Sequence, residues 1–190
     1  MIGPEFETVV AAARSGDEVA FERLWRDLNP ALLRYLALGG DAAEEVAAET
    51  WLAVVRGLRR FRGDEMAWRA WVFTTARRRA VDAARKRERE TRLGARATTW
   101  VAPVTADCAD VVVDLLTTAE AVALVRRLPP MQAEVVLLRV VAELPVAEVA
   151  QVLGRSPGAV RVAAHRGLRT LAGLVGRSGV TLGEAAALRD

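Results

Sequence analysis

The 190-residue chain holds one cysteine, Cys108, and one histidine, His165. An internal disulfide is therefore impossible, and a zinc site built on Cys and His lacks donors. No apolar run approaches the roughly 20 residues a membrane span needs, and the opening MIGPEFETVV lacks the basic-then-apolar order of a secretory signal. Nucleophile elbows, Walker loops and glycine-rich dinucleotide turns are missing as well, so the sequence carries no enzyme signature. These absences lead to the expectation of a cytoplasmic protein with no metal, no cofactor and no catalysis of its own.

What the chain does have is apolar residues, at 52%, enough to build real cores in one domain or two small ones. The net charge of +3 hides an uneven distribution. Residues 1–55 carry 4 basic and 10 acidic groups, residues 56–96 carry 14 and 5, residues 97–125 carry none and 4, and residues 126–190 carry 9 and 5. Charge blocks can be no more than solvated faces. Two basic blocks parted by an acidic one nevertheless suggest two contacts with nucleic acid.

Helical periodicity runs through most of the chain. Phe6, Val9, Val10 and Ala13 form one stripe; Ser15-Gly16-Asp17 breaks it, and Asp17 can cap a helix containing Val19, Phe21, Leu24, Trp25 and Leu28. Pro30 suits the first turn of another helix, which Gly39-Gly40 ends. Asp41 then caps a segment reaching about Phe61, with Val46, Trp51, Leu52, Val55 and Leu58 near one face. After Gly63-Asp64, a helix from about Met66 to Arg89 is apolar at its front, with Trp68, Trp71, Val72, Phe73, Ala76 and Val81, and basic at its end. Residues 91–116 lose the helical period and form the best linker candidate. Helices resume over about 117–128, 131–142 and 146–153, the last stopped by Gly154. The expected fold is all-α: two small helical domains, 1–90 and 117–176, joined by the linker and followed by a tail over 177–190.

The stretch VAEVAQVLGRSPGAVRVAAHRGLRTL carries the sharpest pattern. Ser156 caps its second helix and Pro157 occupies the first helical position. Val160, Ala164, Leu168, Leu171 and Val175 make a core stripe; Gly158, Val162, His165, Arg166 and Arg169 lie opposite, with Arg161 on the flank. A short helix, a tight turn and a second helix with a basic outer face form the helix-turn-helix pattern.

The order of segments resembles the extracytoplasmic-function (ECF) group of sigma-70 family factors, which keep sigma regions 2 and 4. LPPMQAEVVLLRVVAELPVAEVAQVLGRSPGAVRVAAHRGLRTL is similar to region 4 at Leu128, Pro129, Pro130, Gln132, Glu134, Leu138, Glu148, Ala150, Leu153, Gly158, Val160, Arg166 and Leu171. FERLWRDLNPALLRYL, DAAEEVAAETWLAVVRGLRRF and WRAWVFTTARRRAVDAARKRER resemble successive region 2 motifs, with Glu44, Glu49, Phe61, Trp71, Ala76, Asp82 and Arg85 in register.

The resemblance implies a promoter-specificity subunit that binds core RNA polymerase through the beta-prime clamp helices and the beta flap, recognises promoter DNA, and is controlled by an anti-sigma factor. It makes Asp41, Glu44, Glu45 and Glu49 the candidates for polymerase binding; for Asp41, helix capping is an equal alternative. It assigns the minus-10 element to the loop around Phe61 and the helix after it. Arg59, Arg60, Arg62, Arg77, Arg78, Arg79 and Arg85 offer phosphate-neutralising charge there, and Trp68 a stacking face. Arg78 stands where the family usually has asparagine, which turns a base-reading position into a phosphate contact.

For the minus-35 element the resemblance places the last helix in the major groove. Arg161 is then the base reader and Arg155, Arg166 and Arg169 are backbone contacts, with Ser156, Pro157 and Gly158 at the helix start. Val162 and Ala163 replace a common serine and arginine, and Ala159 a common threonine. Val162 suits a thymine methyl. His165 is either a phosphate donor or an ordinary surface histidine. Two other classes share some of these features: a free-standing helix-turn-helix regulator, and a sigma-like protein that sequesters an anti-sigma factor. The acidic helix and the Arg-rich middle favour the sigma factor over a simple regulator, which needs neither.

Overall fold

The computed structural model describes residues 1–40, 42–92 and 121–178, and every regular element among them is helical. After a 3-10 turn at Gly3–Glu5 come α1 (Phe6–Ser15), α2 (Glu18–Leu36) with a second 3-10 turn at Ala37–Gly39, α3 (Ala43–Leu58) and α4 (Glu65–Arg92). A second group holds helical residues 121–126, then α5 (Pro130–Val140), α6 (Val146–Leu153) and α7 (Pro157–Ser178). The expected linker beyond residue 92, Cys108, residues 117–120 of the expected 117–128 helix and the tail beyond residue 178 lie outside the described residues.

Each helix forms where an apolar stripe meets a start or stop signal. α1 buries Phe6, Val9, Val10 and Ala13 against α2 and ends at Gly16, whose φ of 103° is open to glycine without a Cβ penalty. Asp17 caps α2, its carboxylate accepting the amide of Ala20 at 3.0 Å. α2 then buries Leu24, Leu28, Ala31, Leu32, Tyr35 and Leu36. α3 and α4 close the first group, with Val54, Trp68, Val72, Phe73 and Ala76 fully inside. Two polar groups are paired within this core. The Thr50 hydroxyl donates to the Val46 carbonyl at 2.7 Å, and the Trp51 indole donates to Asn29 at 2.9 Å.

Sequence expectations change at Pro30 and on α3. Pro30 does not begin a helix; it lies inside the 19-residue α2. Leu28, Ala31 and Leu32 carry one buried face straight through it, and Pro30 itself is exposed. The N-cap of α3 is Ala42, which makes no side-chain cap bond, and the cap expected from the sequence, Asp41, lies outside the described residues. Leu52 and Val55, placed near the core face, are 57% and 49% exposed, and Val54 is the residue that points inward. Val19 is likewise exposed.

In the second group α5 packs on α7, with α6 against both. Gly167 permits the close approach, since a Cβ there would stand 2.8 Å from Val136 Cγ2. The two groups also touch: α4 packs on α6 and α2 on α5, so their buried apolar residues make one connected set.

Candidate nucleic-acid interface

Three surfaces hold the residues singled out from the sequence. On α3, Glu44, Glu45 and Glu49 are all exposed. Glu45 and Glu49 are one turn apart, and Leu52, three residues further, extends the same face with an apolar group. An exposed row of carboxylates ending in a large apolar side chain is chemically suited to a basic, partly apolar protein surface. Sequence reasoning missed Leu52 and Val55 as part of it, because apolar residues at helical spacing read as core.

The second surface is the turn from Arg59 to Asp64 and the start of α4. Arg59, Arg60, Arg62, Arg78 and Arg85 are exposed, and Arg79 is half-buried. Arg62 folds back on its own turn, donating to the carbonyls of Arg59 at 3.0 Å and Phe61 at 2.7 Å, which leaves it bracing the loop. Asp64 caps α4 by accepting the amide of Ala67 at 2.8 Å. Phe61 and Trp68 are interior. Phe61 stacks on Trp71 with ring centres 5.3 Å apart and meets Trp68 edge-on at 5.5 Å. Trp68 is 1% exposed, so it packs the core under the loop and offers no stacking face. Trp71, expected with Phe73 mainly in the core, is the more exposed ring of the two, held against Gly57, where a Cβ would stand 2.7 Å from its Cζ2.

Arg77 also departs from its expected place. Its Nε donates to Glu134 Oε1 of α5 at 2.8 Å, and the same oxygen accepts the Tyr35 hydroxyl at 2.8 Å. Burial, then the charge and hydrogen bond of Glu134, hold the Tyr35 phenol well above its ordinary pKa. Arg69, which the sequence did not single out, is 3% exposed. Its Nη1 donates to Asp27 at 2.8 Å and its Nε to the Ala142 carbonyl at 3.0 Å, with Glu143 at 3.5 Å. The available signal was an arginine inside the apolar row of Trp68, Val72, Phe73 and Ala76, a position that demands buried acceptors.

The third surface is α7. Ser156 Oγ accepts the amide of Ala159 at 3.2 Å, Pro157 begins the helix, and Gly154 turns the chain at φ 61°. Arg155, Gly158, Arg161, Val162, His165, Arg166 and Arg169 are all exposed on the outward side, while Val160 is fully buried. Val162 is 49% exposed; its neighbour Ala163 is 8% exposed and faces α5, so of this pair only Val162 can reach a partner. A row of guanidiniums and one apolar group are what phosphate contact and base-edge reading require. Among the described residues there is no cluster of His, Cys, Asp or Glu that could hold a metal ion, and no helix long and apolar enough to cross a membrane.

Residues 20–90 match the model of sigma-70 region 2 and residues 118–171 that of sigma-70 region 4. The ECF RNA polymerase sigma factor SigD of Mycobacterium tuberculosis is 31% identical over 180 residues, covering 90% of this chain and 84% of the relative. The ECF RNA polymerase sigma factor BldN of Streptomyces coelicolor is 33% identical over 174 residues, covering 88% of this chain and 64% of the relative, so this chain spans just under two thirds of that protein. In fold, the chain is similar to CnrH solved with the cytosolic domain of CnrY, with a TM-score of 0.63 at 22% identity over 92% of this chain and 99% of the other. It is also similar to the sigma factor RpoE solved with the anti-sigma factor NepR from Bartonella quintana, with a TM-score of 0.62 at 20% identity over 82% and 96%. With both sigma regions matched in order and a relative above 30% identity along most of both lengths, the chain belongs to the ECF group of RNA polymerase sigma factors.

Proposed function

We propose that the chain binds core RNA polymerase, reads minus-35 and minus-10 promoter elements and promotes transcription initiation in the cytoplasm, with an anti-sigma factor as its controlling partner and no catalytic step of its own. The observation that carries this reading is the presence, in one chain, of the exposed acidic face of α3 beside two exposed arginine surfaces on α4 and α7. A repressor that acts by DNA binding alone needs only the last of these. Glu44, Glu45 and Glu49 form charge-assisted bonds to basic groups of the polymerase. Arg59, Arg60, Arg78, Arg79 and Arg85 neutralise the minus-10 strand. Arg161 and Val162 read base edges in the minus-35 major groove, while Arg155, Arg166 and Arg169 set register on phosphate.

The test is transcription in vitro with purified core enzyme and a genomic template library. Promoter-selective starts that depend on the chain support the reading; failure to start anywhere sinks it. A free-standing regulator would bind duplex DNA in the same assay mixture but give no chain-dependent start.

A further inference from the structure

The three surfaces leave Gln132, at the start of α5, without a role. Its side-chain Oε1 is buried and accepts no hydrogen bond among the described residues, an arrangement that folded proteins rarely keep. α7 crosses directly over it: a Cβ at Gly167 would stand 3.3 Å from Gln132 Cβ and 3.4 Å from the Gln132 carbonyl oxygen. The residue before Gly167 is Arg166. It is exposed, and its guanidinium has no hydrogen-bond or ion-pair partner among the described residues. Two open hollows flank the crossing. One, of about 470 Å³, lies toward the start of α7 beside Arg155 and Val162; the other, of about 510 Å³, lies toward its end beside Arg169 and Thr170. Gln132 lines both, and Arg166 is the one arginine that borders both.

The two groups are chemically complementary. A guanidinium donates and cannot accept, whereas an amide oxygen accepts and cannot donate. In the free chain their pairing gains little, because water serves the exposed guanidinium equally well. A phosphate seated over the crossing changes the balance. It takes the N–H groups along one edge of the guanidinium and displaces the water around it. The Gln132 oxygen then stays unsatisfied unless the other edge of the planar Arg166 fork turns to it.

We propose that Gln132 is a positioning residue for phosphate binding by Arg166: its buried Oε1 accepts from the guanidinium once DNA covers the crossing, and so fixes the angle at which Arg166 meets the backbone. The proposal rests on the reading of α7 as the DNA-facing helix. It gives α5 a part in setting the register of α7 on the duplex, through a residue that itself reads no base. Arg155 and Arg169 border one hollow each and hold phosphate without this support.

The experiment titrates the full chain and its variants against a short fluorescently labelled DNA duplex, reading anisotropy over a series of salt concentrations, with thermal melting alongside. Gln132→Met keeps the length of the side chain and removes the acceptor. It is expected to melt at or above the parent temperature, since the buried unpaired oxygen is gone, yet to bind the duplex roughly tenfold more weakly. In an Arg166→Ala background the same change should cost no further affinity, whereas in an Arg169→Ala background it should cost as much as in the parent. Arg166→Ala alone should flatten the salt slope by about 1. Unchanged affinity in Gln132→Met, losses that add in the Arg166→Ala background, or an unchanged salt slope in Arg166→Ala each overturn the proposal. A lower melting temperature at parental affinity marks Gln132 as packing alone and overturns it too. Gln132→Leu repeats the comparison should Gln132→Met not fold. A parent chain that binds no duplex overturns the DNA-facing reading of α7 itself, an outcome distinct from a parent that binds and a Gln132 variant that binds equally well.

Discussion

Arg161 and Arg169 are both exposed on α7, about two turns apart. Arg161→Ala should cost about 1–3 kcal/mol of DNA binding and relax one base position, whereas Arg169→Ala should weaken all sequences alike and flatten the salt dependence, as measured by titration against a panel of single-base variants. Trp68 was read as a stacking platform, and its burial moves the expected effect of Trp68→Ala from DNA affinity to stability, with a loss of about 3–5 kcal/mol by thermal melting. Tyr35 is the one tyrosine in the chain, so phenolate absorbance reports it alone. Its folded pKa lies above the unfolded value of about 10, so its contribution to stability is complete below that pH and is lost as the pH rises beyond it. Phenolate absorbance should therefore appear only together with unfolding, and a separate titration of the folded chain would contradict the placement of this side chain.

At the scale of helices, glycines divide by what lies over them. Gly57 faces the rigid ring of Trp71 and Gly167 the branched side chain of Val136, with Cβ approaches of 2.7 and 2.8 Å, whereas Gly173 in α7 has nothing within 4 Å. Gly57→Ala and Gly167→Ala should each lower the melting temperature, an overpacking cost of about 1–3 kcal/mol outweighing the gain in helix propensity. Gly173→Ala should raise it by about 0.5–1 kcal/mol in stability. Chemical denaturation of the three variants decides the matter. The same elements show how far periodicity reaches. The caps at Asp17 and Ser156, the stop at Gly154 and the buried row of α1 were legible because they are local, set by a side chain and the amides two or three residues away. Pro30 was misread because a local breaker was outweighed by Leu28, Ala31 and Leu32 on either side, whose burial depends on α3 and α4.

Across the whole molecule the alternation of charge along the chain becomes a division of surfaces: acid on α3, arginine on α4 and α7. All but one of the 27 cationic residues are arginine, the side chain that pairs bidentately with phosphate and also tolerates burial, as Arg69 does. Reversing charge at Glu45 and Glu49 together should weaken association with core polymerase while leaving duplex binding by α7 unchanged; surface plasmon resonance against each partner separates the two, and an equal loss in both would refute the division of labour.

Composition, spacing and capping by themselves determined the all-helical class, the helix-turn-helix, the two basic surfaces and the family, because each rests on residues close in sequence or on motif order. Which apolar residues remain outside on α3 was decided by tertiary structure: Leu52 and Val55 share their spacing with core positions and differ only in what packs above them. The same holds for Arg69, Arg77 and Glu134. Their partners lie between 42 and 99 residues away in sequence, a distance over which no local pattern carries information, and only the packing of α2 on α4, and of both against the second group of helices, brings those charges within hydrogen-bond reach.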